Sequence, residues 1–158
     1  TVYDIDKIIG IDPIEYYEFY LKYGELLHKE AQVRPGVQEV INQLASKHRI
    51  HFVTARDEIM REVTLEWMNH YNIPMDTISF LGSHDKVNKA KDLESDIFIE
   101  DRLENALQLS DANLQVLLVD CNYNKGELPN NVVRVENWKE INEWIYYYEG
   151  WNKKEMAL

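Results

Sequence analysis

The chain has 158 residues, 45% of them apolar and 28% charged, which suits one domain with a proper core and excludes a disordered polymer. Its formal charge of -11 argues against a nucleic-acid polymer as partner, because backbone binding needs clustered Lys and Arg; a small phosphorylated ligand stays compatible, above all with a divalent cation between the two. No apolar run nears the roughly 20 residues that span a bilayer, so no membrane partner is expected, and one cysteine, Cys121, excludes an internal disulfide and suits a reducing cytoplasm.

In chain order, Asp12-Pro13-Ile14-Glu15 is a helix start: an Asp cap, a proline at the first helical position and a Glu three residues after the cap. The helix is expected to run to about residue 31, with a bend or break at Gly24 and with its aromatic stripe (Tyr16, Tyr17, Phe19, Tyr20) as a packing face. Arg34-Pro35-Gly36 is a turn, and Val37, Val40, Ile41 and Leu44 follow at helical spacing. Residues 50–54 then alternate as a strand, and a helix over 57–69 is expected to turn Ile59, Val63, Trp67 and Met68 inward. Further strands are predicted at 78–81, 97–99, 115–119 and 132–135. Helices are predicted near 87–93, at 103–109, and after an Asn137 cap. The tail, 151–158, is expected to fray.

Short apolar strands alternating with helices predict an α/β fold, a doubly wound and mainly parallel sheet with helices on both faces. In such sheets ligands bind at the carboxyl ends of the strands, and four features fall there. Phe52-Val53-Thr54-Ala55-Arg56 delivers a hydroxyl beside the free N–H groups of a helix start, which suits a small anion. Gly82-Ser83-His84-Asp85-Lys86 places a lysine at the positive end of a helix, unfavourable unless it points at an anion. Ile97-Phe98-Ile99 stops at Glu100-Asp101, oxygen ligands suited to Mg²⁺, although an isolated acidic pair reads as readily as a helix cap. Asp120-Cys121-Asn122-Tyr123-Asn124 could line the same rim. The five histidines show no metal-ligand spacing, and His84 alone lies at a strand end. No dinucleotide fingerprint, P-loop or serine elbow is present.

On the segments from Phe52 to Arg56, Gly82 to Lys86, Ile97 to Ala106 and Asn122 to Asn124, the sequence resembles the haloacid dehalogenase-like (HAD) phosphohydrolases. Within them it is similar to bacterial nucleotidases of the 5′(3′)-deoxyribonucleotidase group. The resemblance implies a HAD-like Rossmannoid core over residues 34–150 and a small helical cap over 1–33. It implies a Mg²⁺-dependent nucleotidase acting through an aspartyl-phosphate. Thr54 and Lys86 would be catalytic, Thr54, Ala55, Arg56 and Lys86 would bind the substrate phosphate, and Glu100 and Asp101 would hold Mg²⁺. The family's Asp-x-Asp-Gly nucleophile motif ends a first, central strand. Asp4-Ile5-Asp6 imitates it without the preceding apolar strand or the following glycine. The chain shown is therefore expected to begin after that strand, leaving a gap in the sheet, with activity in a longer form. The alternative is a non-catalytic HAD-fold module binding a ligand or partner in the same crevice. Tyr146, Tyr147, Tyr148 and Trp151 could support a homodimer.

Overall fold

A computed structural model describes residues 9–155, with side chains through Gly150; Asp4 and Asp6 lie outside the described residues. Helix α1, Pro13–Glu30, opens as its sequence dictates: Asp12 is extended (φ -64, ψ 137) and its Oδ1 accepts the Ile14 N–H at 2.8 Å. The helix passes through Gly24 unbroken. That glycine is a contact point, because a Cβ there would meet Met60 Cε at 2.6 Å. The aromatic stripe does not pack as expected. Tyr17, Phe19, Leu21 and Tyr23 are exposed, while the inward line is Tyr16, Tyr20, Gly24 and His28, one residue per helical turn. Among the described residues α1 has its neighbours on one side, so it buries a narrow stripe.

After the turn, Gly36 takes φ +84 and starts α2, Val37–Ala45. A left-handed residue there explains the glycine. Five strands follow: β1 His51–Thr54, β2 Thr77–Phe80, β3 Ile97–Glu100, β4 Gln115–Val119 and β5 Val132–Val135. The helices between and after them are α3 Arg61–His70, α4 Val87–Asp92, α5 Leu103–Asp111 and α6 Trp138–Glu155. A 3₁₀ turn over Glu58–Met60 precedes α3 and shifts its phase. In consequence Met60 is buried to 2% and Ile59 is 53% exposed, while Val63 and Met68 are buried and Trp67 packs against the core as expected.

All pairings are parallel. Among the described residues they form two half-sheets, β1–β2 and β3–β4–β5. Strand β4 is buried on both faces. Leu117 and Val119 join α2 and α6 through Val40, Leu44, Ile141 and Ile145. Val116 and Leu118 join α4 and α5 through Ala90, Ala106 and Leu109. This is the doubly wound arrangement that short apolar strands call for. A third core couples the other half of α2, Val37 and Ile41, to Met68, Ile73, Phe52 and Ile78. Helix α2 thus belongs to both halves.

Strands β1 and β3 face each other across a cleft of about 580 Å³, lined by His51, Phe52 and Val53 on one side and Ile97, Phe98, Ile99 and Glu100 on the other. Ile41 and Leu44 of α2 and Trp138 and Ile145 of α6 close it on one face.

Candidate functional site

Within each half-sheet the strands are parallel, so Thr54 and Phe80 end on one edge of the first and Glu100 and Val119 on one edge of the second. The best-built part of that edge is Glu100, 5% exposed. A buried carboxylate must be fully paired, and this one is. Lys86 Nζ donates to its Oε2 at 2.7 Å, and the backbone N–H groups of Asp101 and Arg102 donate to Oε1 at 3.2 and 3.1 Å. Lys86 occupies the cap position of α4, and its ammonium also lies 5.8 Å from the Phe98 ring centroid. The lysine that sits badly against a helix dipole is thus held by a buried acid.

Asp101 stands differently. Its Oδ2 accepts the Tyr123 hydroxyl at 2.6 Å and its backbone carbonyl accepts Asn124 Nδ2 at 2.7 Å. No described residue donates to its Oδ1. Burial, and then the bond to Asp101, push the Tyr123 phenol above its ordinary pKa, so it remains a donor. Asn124 is fully buried and its amide is saturated. Nδ2 donates to the Asp101 and Val119 carbonyls, both at 2.7 Å; Oδ1 accepts the Cys121 N–H at 3.1 Å and Arg134 Nη1 at 2.8 Å. Asp120, paired with Lys125 and Arg134, has its carboxyl held below the usual range, first by the Lys125 hydrogen bond.

Thr54 lies on the other half-sheet. Its Oγ1 accepts the Arg56 N–H at 3.2 Å, leaving the hydroxyl proton to donate elsewhere. The Arg56 guanidinium donates to Thr64 Oγ1 at 2.9 Å, and Thr64 donates in turn to the Met60 carbonyl at 2.7 Å. Burial lowers the Arg56 pKa, with only the Tyr20 hydroxyl acting against it. Within α1, Tyr20 Oη and His28 Nε2 share a 2.9 Å hydrogen bond.

Burial, and then Arg56, lower the His28 pKa to about 4. Between about pH 4 and 6.5 the unfolded chain therefore binds a proton that the folded chain does not, and stability falls as pH drops through that window. Urea midpoints measured from pH 7 to 4 should decline, and His28→Gln should flatten part of the slope. An unchanged slope would show that the ring is not held neutral by its surroundings.

The structure joins Lys86 to Glu100 and ties Asp101 to Tyr123 and Asn124, while Thr54, Ala55 and Arg56 make no hydrogen bond to that group. His84 is exposed in the loop after β2. Sequence reasoning passed over Arg34. Its guanidinium lies 3.7 and 3.9 Å from Cys121 Sγ, and it lines the cleft with Lys86, Glu100 and Asp101; the Arg-Pro-Gly turn before α2 was its signal. Among the described residues no cluster of three or more His, Cys, Asp or Glu could hold a metal by itself. The donor set still fits Mg²⁺, which keeps several waters and is bound by one or two carboxylates together with substrate phosphate. No helix among the described residues is long and apolar enough to cross a membrane.

Residues 10–149 match the family profile described as 5′ nucleotidase, deoxy (pyrimidine), cytosolic type C protein. The chain is 43% identical over 141 residues to a nucleotidase of Clostridium acetobutylicum, a match covering 89% of this chain and 73% of that protein. A Bacillus subtilis protein provisionally named a nucleotidase is 30% identical over 146 residues, covering 92% of this chain and 76% of its own length. In fold, the chain is similar to a phosphonoacetaldehyde hydrolase-like protein from Oleispira antarctica. The TM-score is 0.57 with 17% identity, over 99% of this chain and 59% of that one.

Proposed function

The chain belongs to the 5′ nucleotidase, deoxy (pyrimidine), cytosolic type C family of HAD-like proteins, and from that premise we propose that it hydrolyses small phosphate monoesters, (deoxy)nucleoside monophosphates, with Mg²⁺. The observation that carries this reading is the buried Lys86–Glu100 pair beside Asp101 at the carboxyl edge. Glu100 has both oxygens engaged, so its part is to hold Lys86, whose ammonium then neutralises phosphate charge. Asp101, which lines the cleft and has Oδ2 held by the Tyr123 hydroxyl, would be the direct Mg²⁺ ligand. The Thr54 hydroxyl would donate to a phosphate oxygen while its Oγ1 accepts the Arg56 N–H.

Bound Mg²⁺ supplies charge stabilisation at the transferring phosphoryl group. In the reaction a carboxylate oxygen attacks phosphorus and the bond from phosphorus to the ester oxygen breaks. The released nucleoside hydroxyl takes a proton. Water then cleaves the acyl phosphate to free phosphate and the original carboxylate. Glu100 and Asp101, which in this reading hold Lys86 and the metal, are not assigned the nucleophile's part.

The test is phosphate release by the native protein from a panel of nucleoside monophosphates, titrated with Mg²⁺. Glu100→Gln, acting behind the metal, should weaken Mg²⁺ dependence by about 10–100-fold; Asp101→Asn, losing a direct ligand, should weaken it more. The reverse order would exchange the two roles. A native protein that binds these nucleotides and turns over none would favour the non-catalytic binding module instead.

A further inference from the structure

Arg34 lines the cleft with Lys86, Glu100 and Asp101, yet the proposed chemistry gives it no part. Its backbone is firmly set. The Arg34 carbonyl accepts the Val37 N–H at 3.2 Å, with Pro35 second in the turn and Gly36 third at φ +84 and ψ -14, the arrangement of a type II turn. Helix α2, which starts there, is packed into two cores. The side chain itself is exposed, so a rigid base carries a movable guanidinium.

The surroundings leave that cation poorly matched. Its Nη2 and Nη1 donate to Cys121 Sγ at 3.7 and 3.9 Å, and a sulfur is a weak acceptor. Among the described residues Arg34 has no side-chain hydrogen bond besides these and no ion pair. The other cations at the carboxyl end of β3 and β4 each have an acid: Lys86 has Glu100, Arg102 has Glu104, and Lys125 and Arg134 share Asp120. Cys121 is also hydrogen-bonded to Tyr123, whose hydroxyl donates to Asp101. Arg34, Cys121, Tyr123 and Asp101 thus form one row along the rim. The sulfur contact, and after it the nearby charges including Asp101, raise the Arg34 pKa, which keeps the group charged.

A phosphate monoester carries close to two negative charges at pH 7, while Lys86 and Glu100 together carry none. A guanidinium fork matches two phosphate oxygens, and exchanging a sulfur for them turns weak bonds into charge-assisted ones. We propose that Arg34 is a substrate-binding residue, whose guanidinium leaves Cys121 and takes two non-bridging oxygens of the phosphate beside Lys86. The identity of the ester rests on the proposed phosphatase reading; the phosphate contact rests on the rim itself. Neither oxygen belongs to the bond that breaks, so Arg34 holds ester and transition state alike, and its loss falls on KM.

The experiment titrates the native protein with inorganic phosphate by calorimetry, with Mg²⁺ present, beside phosphate release from nucleoside monophosphates. Arg34→Met should weaken phosphate binding and raise KM by about 10–100-fold, the range of a charge-assisted hydrogen bond, with kcat little changed. Arg34→Lys keeps the charge without the fork and should fall between. Urea midpoints of both variants should match that of the native protein. Unchanged phosphate affinity in Arg34→Met overturns the proposal, and so does a native protein that binds no phosphate. Loss of binding in both variants with lowered midpoints overturns it too, since that marks a structural role. Release by the native protein with KM unmoved in Arg34→Met overturns the part of Arg34 and leaves the phosphatase standing. Phosphate binding that Arg34→Met weakens, with no release by the native protein, upholds the contact and overturns the phosphatase.

Discussion

Replacing Lys86 by methionine is expected to destabilise the fold by about 3–5 kcal/mol and to lower phosphate release by about 10²–10³-fold. The stability loss comes from Glu100. Its side chain is 3% exposed and that of Lys86 13%, so removing the ammonium strands a charge where water cannot reach it. Two backbone N–H bonds remain, but they carry no countercharge. The second variant separates the two effects. With Glu100→Gln added, the amide still accepts the N–H groups of Asp101 and Arg102 and no charge is buried. Most of the lost stability should return while turnover stays low. Urea midpoints and phosphate release measured on the same preparations decide it. A single variant as stable as the parent would mean that the pair is solvated.

The second large effect is at Asn124. Alanine there removes four side-chain hydrogen bonds at a position with no exposure. At roughly 1 kcal/mol net for each, the expected loss is about 4 kcal/mol. Asp in its place keeps the acceptor for Arg134 and Cys121 but sets a carboxylate against the Asp101 and Val119 carbonyls, so it should not rescue. Equilibrium urea unfolding of both variants checks this. A loss below about 1 kcal/mol would show that water takes over the amide's partners.

These two residues also mark what the sequence could reveal. Lys86 and Glu100 were legible because each breaks a local rule: a cation at the wrong end of a helix, an acid ending an apolar run. The strands were legible from their apolar runs, β4 to the residue. Asn124 was visible as a polar rim residue, but its burial was not, because its partners come from β4, β5 and the end of β3 and no periodicity encodes them. On the face expected for the helix after β1, Val63, Trp67 and Met68 lie inward, and Ile59 alone differs because three residues of 3₁₀ turn displaced it and brought Met60 inward. At Gly24 a helix-breaking residue proved to be a close-packing one, a fact set by Met60, 36 positions away. Arg34 meets Cys121 across 87 positions, beyond the reach of any local pattern.

Helix α2 has a consequence for cooperativity. Val37 and Ile41 are anchored in one core and Val40 and Leu44 in the other, so this nine-residue helix links the half-sheets, together with Ile50 and Trp138, which pack against both cores. Each half pairs strands close in sequence, and each can gain or lose order as its own unit. Whether the molecule melts in one transition or two is then set by how firmly two turns of helix grip both sides. An allosteric signal between Thr54 on one half and Lys86 on the other would travel by the same route.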